Sequence, residues 1–249
     1  MRRLLLLLLA LLAAPAATRA DSLVTDLSQR LIAITSSFTG SSILVFGSVI
    51  PEGPGKRDVV IVLRGPEQSI RVRRKERSFG IWINTDVRTF DGVPAFYSVA
   101  STRPLPEIGA EPDLARQQIG LDALKLRPRG AAADDAEAQD FRAALLRLRG
   151  RQDLFPAQAQ PVTFLGPSLF KAEFGFPSNV PVGSYKVEIY LFKDGTLIGA
   201  NSSALFVDKT GLERWIYKSA NNYPALYGIA AIAVAIAMGW LAAVVFRKT

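Results

Sequence analysis

From Ala225 to Phe246 the chain runs for 22 residues without one charged side chain. At about 1.5 Å of rise per residue such a helix is about 33 Å long, enough to cross the roughly 30 Å hydrocarbon core of a bilayer. Trp215, Tyr217, Tyr223 and Tyr227 stand before or at its start, where amphipathic rings favour the headgroup zone, and Arg247 and Lys248 follow its end. The positive-inside rule then predicts a cytoplasmic tail, residues 247–249, and a domain on the opposite side of the membrane.

The other end of the chain predicts the same topology. Met1, Arg2 and Arg3 precede an apolar run from Leu4 to Ala14, followed by Pro15 and small residues up to Ala20. That is the layout of a secretory signal, with Thr18 and Ala20 at the minus-three and minus-one positions, so residues 1–20 are expected to be removed. What remains is an exported domain over 21–208, a juxtamembrane segment over 209–224 and the membrane span over 225–246. Within the span, Ala231, Ala235, Gly239 and Ala243 recur every fourth residue. A stripe of small residues lets another helix approach closely, which predicts a membrane partner or a homodimer. An alanine-rich helix also produces such stripes by chance, since Ala230, Ala233, Ala237 and Ala242 lie off this one.

The chain has no cysteine and no histidine, and its two methionines are Met1 and Met238. Those absences remove disulfides, thiol or Ser-His nucleophiles and imidazole metal sites from consideration. Basic residues exceed acidic ones by 30 to 22. Setting aside Arg2, Arg3, Arg19, Arg247 and Lys248, the exported part keeps 25 basic against 22 acidic residues. Residues 56–77 alone hold eight basic and three acidic side chains, so the surplus is local.

The exported domain reads as mainly β. Residues 31–35, 43–46, 58–63, 69–73 and 80–84 are short apolar or alternating runs, several separated by Gly and Pro clusters such as 51–55. The first run fits equally the end of a short helix starting near Asp26. From Ser184 to Phe192 the sequence alternates, with Tyr185, Val187, Ile189 and Leu191 on one face. Asp194-Gly195 supplies a hairpin turn and Thr196 to Val207 returns as the partner, while Leu169 to Phe176 forms a strand just upstream. Short strands at near-regular spacing predict an immunoglobulin-like β-sandwich.

A helical insertion at about 112–150 interrupts this pattern, with two β-domains joined by helices as the alternative architecture. Residues 112–127 suggest a helix broken at Gly120. Residues 134–149 suggest a better one: Asp134 or Asp135 caps it, Glu137 and Asp140 suit its positive end, and Phe141, Leu145 and Leu148 form its apolar face. Its position explains the acidic group without a metal or glycosidase role.

Two enzyme motifs fail on their context. Ser168-Leu169-Phe170-Lys171 and Lys209-Thr210-Gly211 match pieces of penicillin-recognising enzymes, but the first lies on a strand where that chemistry needs a helix. Gly53-Pro54-Gly55-Lys56 lacks the first glycine and the Ser or Thr of a phosphate loop. More informative is the row Arg71, Arg73, Lys75 and Arg77, which in an extended chain places four cations on one side about 7 Å apart. It reads either as a surface for an anion or an acidic partner, or as a solvated edge strand whose charges prevent pairing. Phe79, Trp82, Phe96 and Tyr97 follow; Trp82, on the face opposite Ile81 and Ile83, either fills a second buried face or forms a surface anchor, and core packing is the expected use.

Residues 72–77 with 80–84, Val93-Pro94-Ala95-Phe96-Tyr97, Ile119-Gly120-Leu121-Asp122 and residues 179–185 together resemble the alphaproteobacterial putative transmembrane protein family. The resemblance runs from about residue 22 to the C-terminal span. It implies a membrane protein without an assigned activity, and for some members a gene neighbouring a permease of the sulfite or sulfonate exporter type. It brings no catalytic residues and no cofactor. The reading as a whole is a non-enzymatic accessory or interaction protein of a bacterial inner membrane, with its domain in the periplasm and no nucleic-acid partner. An anion- or envelope-binding module using Arg71 to Arg77 is the alternative.

Overall fold

A computed structural model describes residues 22–51, 53–131, 135–210 and 212–246. The signal over 1–20, Asp134 and the topology residues Arg247 and Lys248 lie outside them, as does the side chain of Trp215. The protein is mainly β, with one C-terminal apolar helix.

The first sheet has the order β1-β3-β10-β9, from β1 (Ser22–Leu27), β3 (Gly40–Ile50), β10 (Leu169–Pro177) and β9 (Thr163–Phe164). The second has the order β2-β12-β11-β4-β7-β8, from β2 (Leu31–Ile34), β12 (Thr196–Lys209), β11 (Gly183–Lys193), β4 (Arg57–Arg64), β7 (Tyr97–Ser101) and β8 (Gln160–Pro161). The segment with the open helix-or-strand reading is therefore strand, and Asp26, where the alternative helix would begin, lies near the end of β1. All pairings between these strands are antiparallel except β2 with β12 and β7 with β8.

Side-chain periodicity separates the two sheets. Along β10, Phe170, Ala172, Phe174 and Phe176 are buried and the residues between them exposed, so this sheet covers the core with one face only. Along β4, all of Asp58 to Leu63 is buried, as is all of β7. A continuous apolar run is what burial on both faces requires. On β11, Tyr185 packs edge-on against Phe176 of the first sheet, while Phe192 lies so close to Gly109 that an added Cβ there would sit 2.8 Å from its ring.

Gly109 belongs to the helical layer that covers this outer face: α1 (Leu105–Ile108), α2 (Glu111–Arg116) and α3 (Ala136–Gly150). The expected broken helix over 112–127 is shorter than its sequence suggested. It ends at Arg116, because Gln118 takes a positive φ of 51° and Arg64 Nη2 donates to the carbonyls of Gln117 (2.6 Å) and Gln118 (3.1 Å). The Tyr97 hydroxyl also donates to Gln118 O and accepts from Gly120 N–H, which fixes Ile119 in the core without a helix. Helix α3 begins where Asp135 accepts from Ala138 N–H. It buries Phe141 and Leu145, but Leu148 is exposed, so its apolar face is one turn shorter than the i, i+4, i+7 spacing implied.

Beyond the body, the β4–β7 ladder does not stop. Gly65 N–H donates to Phe96 O (2.8 Å), Ala95 N–H donates to Pro66 O (2.7 Å), and the pairing runs on into β5 (Glu67–Ser78) and β6 (Ile81–Pro94). The runs at 69–73 and 80–84, expected as two short strands, are parts of one long two-stranded ribbon. Its root lies at a particular end of the second sheet. Arg64 pairs with Lys186 near the start of β11, and Val207 near the end of β12 pairs with Gly183. The ribbon therefore leaves from the end at which β12 passes the chain on to α4 (Leu212–Asn222) and α5 (Pro224–Phe246). Helix α5 is 23 residues long with a mean hydropathy of 2.5, and none of it is buried by the domain.

Candidate functional site: the basic ribbon

Pairing along the ribbon assigns each side chain to a face. Ile70, Val72 and Arg74 of β5 stand opposite Phe90, Arg88 and Asp86 of β6. Val72 and Phe90 are buried, so this face is turned toward the domain. Arg71, Arg73, Lys75 and Arg77 occupy the other face, opposite Thr89, Val87, Asn84 and Trp82. Strand β6 is two residues longer than β5, and both extra residues fall in β6, one at Thr85 and one at Asp91-Gly92. The alternation along β5 is thus unbroken, and all four cations share one side.

One carboxylate fastens the root. Glu137, in the first turn of α3, accepts from Arg74 Nη1 (3.0 Å) through Oε1 and from Arg88 Nη2 (2.7 Å) through Oε2. It thereby clamps β5 to β6. The Arg74 guanidinium also lies 4.8 Å from the centre of the Phe141 ring, and the hydrogen bond to Glu137 holds the Arg88 guanidinium more firmly protonated than usual. Glu137 suits the helix start as its position indicated, and it has this second partnership that spacing along the chain does not reveal. A cleft of about 560 Å³ lies beside the clamp, lined by Arg73, Arg74, Lys75, Asp140 and Arg147 among others.

The outer face has no such partners. Among the described residues, no carboxylate lies within ion-pair distance of Arg71, Arg73, Lys75 or Arg77, and all four are exposed. Beyond Lys75 and Asn84 the ribbon stands free. It turns at Phe79 (φ 49°) and Gly80 (φ 85°), and its tip presents Phe79, Ile81, Trp82 and Ile83 to the surroundings, Trp82 with 68% of its surface exposed. For the aromatic residues this divides the expectation of core packing. Phe96 and Tyr97 are fully buried, whereas Phe79 and Trp82 are not in the core because the strands that carry them extend past it.

The buried charges elsewhere are structurally engaged. Asp58 is 3% exposed; burial alone raises its pKa, but hydrogen bonds from Arg103 (2.9 and 2.5 Å) and Thr102 (2.8 Å) hold it below the ordinary carboxylate value. Glu188 takes Arg64 (2.9 Å) and Lys186 (2.7 Å). Burial pushes Tyr97 and Tyr190 up to about 12. The second predicted surface, Ala231, Ala235, Gly239 and Ala243, lies on α5, exposed along its length, with open space where a Cβ on Gly239 would stand.

Among the described residues, a β domain is followed by one apolar helix long enough to cross a bilayer, which is the layout of a membrane-anchored protein class. Within it, the chain belongs to the alphaproteobacterial family described as a putative transmembrane protein, whose profile matches residues 22–248. No curated protein and no solved structure matches the chain.

Proposed function

We propose that the protein is a non-enzymatic accessory protein of a bacterial inner membrane, held by α5, with its domain in the periplasm and the β5–β6 ribbon as its binding surface for an anionic partner. The observation that carries this reading is the outer ribbon face: four exposed cations in a row with no carboxylate opposite them. Four like charges repel, so a row of this kind is most stable when an anion lies against it. The leader pattern at 1–20 and the Arg247-Lys248 pair support the orientation. We read the domain itself as an immunoglobulin-like sandwich, because its sheets follow the orders A-B-E-D and A′-G-F-C-C′ when β1, β3, β10, β9 and β2, β12, β11, β4, β7 are so lettered.

Photo-crosslinking in intact membranes tests the ribbon reading. A crosslinker replacing Val87, on the cationic face, is expected to capture an envelope component in a salt-sensitive manner, and one replacing Glu173, on the outer face of β10, is not. Capture from Glu173 alone would remove the ribbon from the account. The small-residue face of α5 supports a companion role in docking on a membrane protein, for which the permease type implied by the family resemblance is the first candidate. Gly239→Leu is expected to abolish copurification of that permease in mild detergent, and retention of it contradicts the docking role.

A further inference from the structure

We propose that the tip of the β5–β6 ribbon enters the headgroup layer of the same bilayer that holds α5, with anionic phospholipid against its cationic face. This rests on the reading of the ribbon as a binding surface and names its ligand. The tip is apolar on both of its faces: Trp82 lies on the cationic side, Ile81 and Ile83 on the opposite side, and Phe79 at the turn, all exposed. A flat protein surface covers one side of a ribbon; a lipid layer surrounds it. Aromatic rings favour that layer, and the cation nearest the tip, Arg77, is paired across the ribbon with Trp82, at the level where phosphate groups would meet it.

The turn adds a second observation. Two-residue turns with positive φ at both positions favour Asn-Gly or Asp-Gly, and the β11–β12 hairpin uses Asp194-Gly195. At the ribbon tip the first of these positions is Phe79, a bulky residue with φ 49° and a fully exposed ring. Local strain at an exposed aromatic gives the fold nothing, and strained residues of this kind concentrate at binding sites.

Reach permits the contact. The ribbon starts at the end of the second sheet from which the chain continues to the membrane. With the 11 residues of α4 helical, even full extension of the links through Thr210, Gly211 and Tyr223 holds Lys209 no more than about 33 Å from Pro224. The 12-residue β5 spans about 40 Å.

The chain has no native cysteine, so single labels are clean. The full-length protein carrying Ser78→Cys or Thr196→Cys, labelled with an environment-sensitive fluorophore, is placed in nanodiscs of phosphatidylcholine alone or mixed with phosphatidylglycerol. Thr196 marks the far end of the same sheet. The Ser78 label is expected to shift to the blue and be quenched by doxyl lipids in phosphatidylglycerol discs, and the Thr196 label to stay unquenched. The ratio of docked to free tip falls about fivefold for each of Arg71, Arg73, Lys75 and Arg77 changed to Gln. Phe79→Asn with Trp82→Ser is expected to abolish quenching without lowering the melting temperature. Quenching that is absent, or equal in neutral discs and in the four-Gln variant, overturns the lipid assignment. If quenching is absent while crosslinking from Val87 to a protein persists, the lipid assignment falls and the ribbon reading stands; if both are absent, both fall.

Discussion

The β11–β12 hairpin and the β5–β6 hairpin are both more than ten residues long on each strand, and their residues are spent differently. The first turns on Asp194-Gly195, buries Tyr185, Val187, Ile189 and Leu191 on one face, and is flanked by β4 and β2. The second turns on Phe79-Gly80, is flanked by no other strand beyond its root among the described residues, and leaves Phe79, Ile81, Trp82 and Ile83 exposed at its tip. An isolated two-stranded ribbon is marginal in water, so the second hairpin is stabilised by the Glu137 clamp on Arg74 and Arg88 and leaves free only the stretch beyond Lys75 and Asn84. One hairpin builds the domain. The other is carried by it.

The largest contrast is expected from core truncation. Ile189→Ala in β11 should cost about 3 kcal/mol of stability in denaturant titration, whereas Ile83→Ala in β6 should change it by less than about 0.5 kcal/mol. Equal costs would break the distinction between the hairpins. Next in size is Asp58, which stands on β4 opposite Phe192. Removing its carboxylate with Asp58→Asn should cost about 2 kcal/mol, since Arg103 then loses its charge partner. Because the folded Asp58 has a lowered pKa, its contribution is full above the ordinary value of 3.8 and is lost as the pH falls through the lower folded value. At the alkaline side, Tyr97 and Tyr190 act in the other direction. Their contribution is full below the ordinary value of 10 and lost as the pH rises through about 12, so alkaline unfolding should accompany their ionisation by absorbance.

The ribbon root should respond less. Glu137→Gln is expected to cost about 1 kcal/mol, because Arg74 and Arg88 are about a third exposed, and to open the ribbon to proteolysis before the domain unfolds. Smallest are the turn exchanges. Phe79→Asn should raise stability by up to about 1 kcal/mol and Asp194→Phe should lower it by about as much, each by thermal melting.

How much of this was legible in the sequence follows the same division. The β11–β12 hairpin shows itself through strict alternation and a favoured turn pair, and β10 through its neighbouring alternation. Burial of β4 on both faces is consistent with the unbroken run Val59 to Leu63. The row Arg71 to Arg77 is visible by spacing alone, and the faces it shares follow once its partners are known. What stayed hidden is non-local. Phe79 is not a turn-forming residue, so the hairpin read as two separate strands. Glu137 reaches Arg74 and Arg88 across 63 and 49 residues of sequence. The end of α2 is decided by Arg64, 53 residues before the carbonyl of Gln117 that it takes. Strand β1 pairs with β3 at a register that its own six residues do not announce.

Amide hydrogen exchange on the full-length protein in nanodiscs tests most directly the claim that one hairpin builds the domain and the other is carried for a ligand. Protection of β11 and β12 is expected to be slow-exchanging and indifferent to lipid charge, while residues 76–84 exchange quickly in neutral discs and become protected in anionic ones. Tip protection that is already high in neutral discs, or that stays low in anionic discs, contradicts the account.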